Sequence, residues 1–180
     1  MPDTNFSLLV LFLFFCALIF SYDYLFRRVP NNFLLTAAAL QLGCFVLLGK
    51  GFNGMGAGSA LTGFAIGLAF FLPLYTLRAM AAGDVKFFAM LGFLLGPGAL
   101  LSAFLIASVI AAVHAVVLYM SRLGLIPSLQ LVAIRVTRWS WYQRMLEKRG
   151  SRVGIPYAAY LALAGAWIGI SGTRVMQGFA

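Results

Sequence analysis

Six runs of apolar residues organise the chain, at about residues 6–22, 33–49, 59–77, 85–96, 99–120 and 155–172, with short polar stretches between them. Most are long enough for a helix to cross the ~30 Å of hydrocarbon in a bilayer, and none alternates with the period of two that marks a half-buried strand. The pattern predicts an all-α polytopic membrane protein, a bundle of about six transmembrane helices. The intervening stretches read as turns: DYLFRRVPNN, with its proline and paired arginines, then GKGFNGMGAG, then RAMAAGDVK. The run at 85–96 is short for a crossing and meets Pro97 and Gly98 at once, so its length alone suggests a re-entrant segment.

Charge settles that ambiguity in favour of six crossings. Cytoplasmic turns then hold Arg27, Arg28, Arg78, Lys86 and the seven basic residues of the loop at 121–154, eleven in all, against Lys50 and Arg174 outside. A fourth run that failed to cross would put the seven on the wrong side. The expected organisation is one transmembrane domain over 1–180, the basic cytoplasmic loop 121–154 within it and both termini periplasmic. Composition agrees: 63% of the 180 residues are hydrophobic, 9% are charged and the mean hydropathy is +0.98, which excludes an ordinary soluble fold. The net charge of +9 therefore reads as topology and contact with anionic lipid, and no nucleic-acid partner is expected.

Smaller signals add detail. The opening MPDTNFS has no basic residue, so the first segment is expected to be retained rather than cleaved as a signal peptide. Cys16 and Cys44 fall in apolar runs and read as packing residues. Glycines four apart, at 54 and 58, 63 and 67, 92 and 96, and 165 and 169, suit close helix packing in lipid. The stretch LQLVAIRVTRWSWYQRM mixes aromatics with arginines and suggests a segment lying on the membrane surface.

Only four acidic residues are present, and Asp3 and Glu147 sit in an end segment and a basic loop where solvation or ion pairing explains them. Asp23 ends the first span and Asp84 follows the third, so both fall at one cytoplasmic depth although about 60 residues separate them. Taken singly, Asp84 could cap the helix that begins VKFF, and Asp23 could pair with Arg27 one turn later. Taken together they offer acid–base chemistry, in which one carboxylate takes a proton from water while a second carboxylic acid donates to a carbonyl. Two carboxyls ~4 Å apart at an effective dielectric of ~20 repel by about 4 kcal/mol if both are ionised, so such a pair shares one proton. No HExxH is present, and His114 stands without a second ligand, so a hydrogen-bonded, bundle-facing histidine is the better reading and no metal or cofactor is expected. GAGSAL is not GxSxG, which argues against a serine mechanism.

At AAGDVK and at DYLFRRVPNN the chain resembles the type IV prepilin peptidases, bilayer aspartic proteases with a GxGD motif. In that family one catalytic aspartate precedes a basic stretch closed by an Ile-Pro-Asn-like tripeptide, matched by Val29, Pro30 and Asn31. The other ends GxGD and is followed by a basic residue, matched by Lys86. GIPYA, with Pro156 and Tyr157, resembles the Pro-Tyr entry to the family's last span. Ala81 stands where the first glycine of GxGD is expected, and Gly83 keeps the second.

The resemblance implies Asp23 and Asp84 as catalytic residues, supported by Ala81, Gly83, Lys86, Pro30, Asn31, Pro156 and Tyr157. It implies a prepilin or pseudopilin partner, cut after a short basic leader at the cytoplasmic face of a bacterial inner membrane. The chain's small size resembles the short subclass that serves Flp-type tight-adherence pili, without the cysteine-bearing N-methyltransferase region of longer relatives. Two other readings stay open: a small proton-coupled transporter using the aspartates as a relay, and a noncatalytic membrane subunit of a pilus or secretion apparatus. Small residues before Asp84 are expected to let the backbone approach its neighbours closely.

Overall fold

The computed structural model describes residues 2–52, 54–124, 135, 139–149 and 155–177, which form helices and turns without a strand. The helices are α1 (Pro2–Phe26), α2 (Asn31–Leu48), α3 (Ala57–Thr76), α4 (Ala82–Leu95), α5 (Pro97–Arg122), α6 (Ser140–Arg149) and α7 (Tyr157–Gln177). Three prolines sit at helix starts, where their missing N–H is harmless: Pro30 is the N-cap of α2, Pro97 opens α5 and Pro156 precedes α7, whereas Pro73 lies inside α3 near its end. The chain is thus an all-helical, multi-pass membrane protein. Among the described residues, four helices are long and apolar enough to cross a bilayer: Phe6–Phe26, Asn31–Leu48, Ala57–Thr76 and Pro97–Ser121.

The short fourth run owes its character to its place in the bundle. α4 has 14 residues, about 21 Å at 1.5 Å per residue, and from Phe87 to Leu95 every one of them is buried. It packs against α2, α3, α5 and α7, so protein rather than lipid surrounds its apolar side chains. The α4–α5 corner is made by Gly96, whose φ of +86° suits glycine, with Pro97 starting the next helix. The shorter apolar part of the last helix, Tyr157–Gly172, lies against α1 and α5.

Glycine sets how closely α4 is held. A Cβ built on Gly63 would run into the carbonyl oxygen of Gly92, and one on Gly67 would stand 2.9 Å from Ala89 Cα, so α3 and α4 meet backbone to backbone. Gly165 faces Leu91 and Gly169 faces Phe12, where a Cβ would come within 2.8 Å of a side-chain carbon in each case. The fourth expected pair does not pack: Gly54 lies in a turn at φ +71° and Gly58 has nothing within 4 Å. Gly54 is selected by the backbone freedom of the turn, and Gly58, in the first turn of α3, makes no close approach.

Gln41 is fully buried, a polar residue among apolar neighbours that the hydropathy pattern passes over. Its amide donates to Phe93 O at 3.2 Å and accepts the Phe52 N–H at 3.0 Å, which ties α2 and the turn after it to α4. Both ends of the side chain are therefore satisfied, as burial demands. Cys16 is buried and Cys44 half-buried, both as free thiols, in keeping with a packing role. Most of the candidate membrane-surface stretch at 129–145, and much of the basic loop 121–154, lies outside the described residues.

Candidate active site

α1 turns a continuous face towards α7: Phe12, Cys16, Ile19 and Asp23, spaced as one stripe of a helix, are all buried. Asp23 ends that stripe at 5% exposure, and its Oδ2 accepts the backbone N–H of Ala159 at 3.0 Å. Four residues further on, the Arg27 N–H closes on Asp23 O at 2.8 Å and Arg27 takes a φ of +52°, which stops the helix and sends the chain into Val29, Pro30 and Asn31.

Asp84 arrives from another direction, in the first turn of α4, third after the N-cap Ala81. Its half-buried carboxylate reaches back to the Ala81 N–H, one half of a capping box, and also accepts the N–H of Ala158. Asp84 also lies within electrostatic reach of Asp23. The two carboxylates thus end on consecutive backbone donors, Ala158 and Ala159, in the first turn of α7, where N–H groups have no intrahelical partner. Capping and juxtaposition occur together, so the capping reading of Asp84 and its pairing with Asp23 are not alternatives.

The motifs around the aspartates also meet. A Cβ on Gly83 would stand 3.3 Å from Val29 Cβ, which seats the Val-Pro-Asn segment on the turn before Asp84. Lys86 Nζ donates to Asn31 Oδ1 at 3.3 Å across the same junction. Pro30 is half-buried there. The crowding expected before Asp84 therefore falls on Gly83. Ala81 is exposed, with φ −77° and ψ 147°, a conformation open to any residue, so alanine in place of the first glycine brings no backbone strain.

Pro156 is fully buried at the entry to α7, and Tyr157, the first residue of that helix, shares a 3.0 Å hydrogen bond between its hydroxyl and Ser108 Oγ. The Tyr157 ring stands edge-on to Phe71 with 6.0 Å between centroids. His114 Nδ1 is hydrogen-bonded to the Tyr160 hydroxyl, which agrees with a bundle-facing histidine. The site thus includes partners that sequence reading missed. The Ala158 and Ala159 donors are backbone atoms with no signature of their own, and Ser108 is one serine in an apolar run.

Two carboxyls within electrostatic reach of each other, each held on a backbone N–H donor, offer the groups that acid–base chemistry on a carbonyl needs. No curated protein and no solved structure matches the chain. The profile of the type IV leader peptidase family matches residues 9–116, a stretch that takes in Asp23, the Val-Pro-Asn segment, Asp84 and Lys86. With more than half of its length so matched, the chain belongs to the type IV leader peptidase family.

Proposed function

We propose that this leader peptidase is an aspartic endopeptidase whose catalytic pair is Asp23 and Asp84, and that it removes the basic leader of a prepilin or pseudopilin at the cytoplasmic face of a bacterial inner membrane. The observation that carries the reading is the convergence of these two aspartates, about 60 residues apart in sequence, on consecutive N–H groups of α7. Asp23, the α3–α4 connection and the start of α7 share one end of the bundle with Arg27, Arg28, Arg78 and Lys86, which the positive-inside rule assigns to the cytoplasm. A substrate whose apolar helix lies in the bilayer then presents the junction with its leader at the depth of the dyad.

Membership of the short Flp-type subclass is part of the same proposal. The short α1–α2 connection, residues 27–30, is in keeping with a compact chain of this kind. The test is cleavage by purified protein in lipid vesicles of Flp-type prepilins with short basic leaders, read as a mobility shift and by sequencing the new N-terminus. Cleavage just before the apolar helix is expected. Proton flux through the vesicles without cleavage would put the transporter reading in its place, and neither flux nor cleavage would favour the noncatalytic subunit.

Sidedness has its own measurement. A cysteine introduced at Arg144 should be shielded from an impermeant thiol reagent in intact cells, and one at Asn53 should be labelled, because eleven basic residues against two set the orientation. The opposite labelling pattern would invert the topology.

A further inference from the structure

Tyr157 and Tyr160 bracket Ala158 and Ala159, the two residues whose N–H groups hold the aspartates. Each tyrosine hydroxyl is tied to the same neighbouring helix, Tyr157 to Ser108 at 3.0 Å and Tyr160 to His114, both on α5. We propose that Ser108 and His114 are positioning residues, a two-point clamp by which α5 fixes the first turn of α7 and so sets the separation and orientation of the Asp23–Asp84 pair. The proposal rests on the reading of that pair as catalytic.

The geometry favours positioning over simple packing. The first turn of a helix is its least restrained part, since its N–H groups are not yet engaged in the helical ladder and it frays most easily. Here the first bond of α7 is long, with Tyr160 N–H at 3.4 Å from Pro156 O, so the main-chain ladder by itself holds the turn weakly. The hydroxyl bonds at 157 and 160 supply restraint on either side of the donors. A serine inside an apolar helix more commonly turns back to bond a carbonyl one turn earlier, whereas Ser108 Oγ spans to another helix. Ser108 and His114 each bond a tyrosine hydroxyl, and so act on the aspartates through that tyrosine and one or two peptide units. Precise placement matters because acid–base catalysis falls steeply when the reacting groups shift by about 1 Å.

The experiment uses the full chain in lipid vesicles and a synthetic substrate with a short lysine-rich leader joined to an apolar helix of about 20 residues. Interhelical hydrogen bonds in membranes are modest, so releasing one point of the clamp should reduce the fraction of molecules with a competent dyad roughly three- to twentyfold. Ser108→Ala and His114→Leu should each lower kcat by that factor, with KM within about twofold and the thermal midpoint near wild type. Ser108→Thr, which keeps the hydroxyl, should restore kcat. Ser108→Ala should add nothing to Tyr157→Phe, and His114→Leu nothing to Tyr160→Phe, because each pair removes one bond twice. Wild-type kcat in both single variants, failure of threonine to rescue, or losses that multiply within a pair would each overturn the clamp. Activity retained by Asp84→Asn would instead show that the dyad assignment had failed, whatever the clamp variants did.

Discussion

Asp84→Asn and Asp23→Asn are each expected to lower leader cleavage by about 10³-fold or more, with membrane insertion and thermal stability close to wild type. Asparagine keeps the size of the side chain and one carbonyl oxygen. At position 84 that oxygen can still accept from Ala158 or Ala81, and at position 23 from Ala159, so the contacts that organise the first turns of α4 and α7 survive the change. What is lost is the capacity to gain and release a proton. A dyad lacking one member cannot both activate water and protonate the carbonyl, so the double variant should be about as inactive as either single one. Lys86→Ala should do much less, because its ammonium bonds Asn31 at the junction and substitutes for neither carboxyl. Initial rates of leader release from vesicles decide the matter. Near wild-type cleavage by Asp84→Asn would remove the aspartic mechanism from this chain.

The helices were legible because a bilayer imposes a strong length and polarity rule on each span. The runs at 33–49 and 59–77 fall within two residues of α2 and α3 at both ends. The hydropathy pattern ends α1 early, at about residue 22, because Asp23 and Tyr24 lower it although the helix continues to Phe26. The aspartates were legible by elimination: with four acidic residues in 180, shared depth is informative. The helical partners of each side chain were not. Gln41 and Ser108 reveal themselves only once α2 is seen against α4 and α5 against α7, since a polar residue in an apolar run looks the same whether it faces lipid, a cavity or another helix. The cradle of Ala158 and Ala159 N–H groups has no sequence signature, because every residue but proline carries that donor. At AAGD, the sequence spreads the steric demand over the small residues before Asp84, whereas the seating of Val29 falls on Gly83.

Gly63→Leu should prevent the bundle from forming, and Gly63→Ala should weaken it by about 1–3 kcal/mol, the range for forced overpacking. A Cβ at Gly63 would enter the Gly92 carbonyl and stand 2.8 Å from Gly92 C, and a Cβ at Gly92 would meet the Gly63 carbonyl in turn. Both obstacles are backbone, so no rotamer change relieves them and α3 and α4 must move apart. In lipid the apolar surface gains little from staying together, and association rests on the packing that such a separation removes. The loss should reach the active site as well. Asp84 lies eight residues before Gly92 on α4, about 12 Å along the axis, so a displaced α4 carries its carboxylate away from Ala158 and Asp23. Gly63→Ala should therefore lower kcat more than its stability loss alone explains, and Gly63→Leu should accumulate poorly in the membrane. Gly58→Ala is the control, since nothing lies within 4 Å of that position, and it should behave as wild type in both yield and cleavage. If Gly63→Leu protein were recovered with the thermal midpoint and activity of the Gly58→Ala control, the backbone contact between α3 and α4 could not be what holds Asp84 in place.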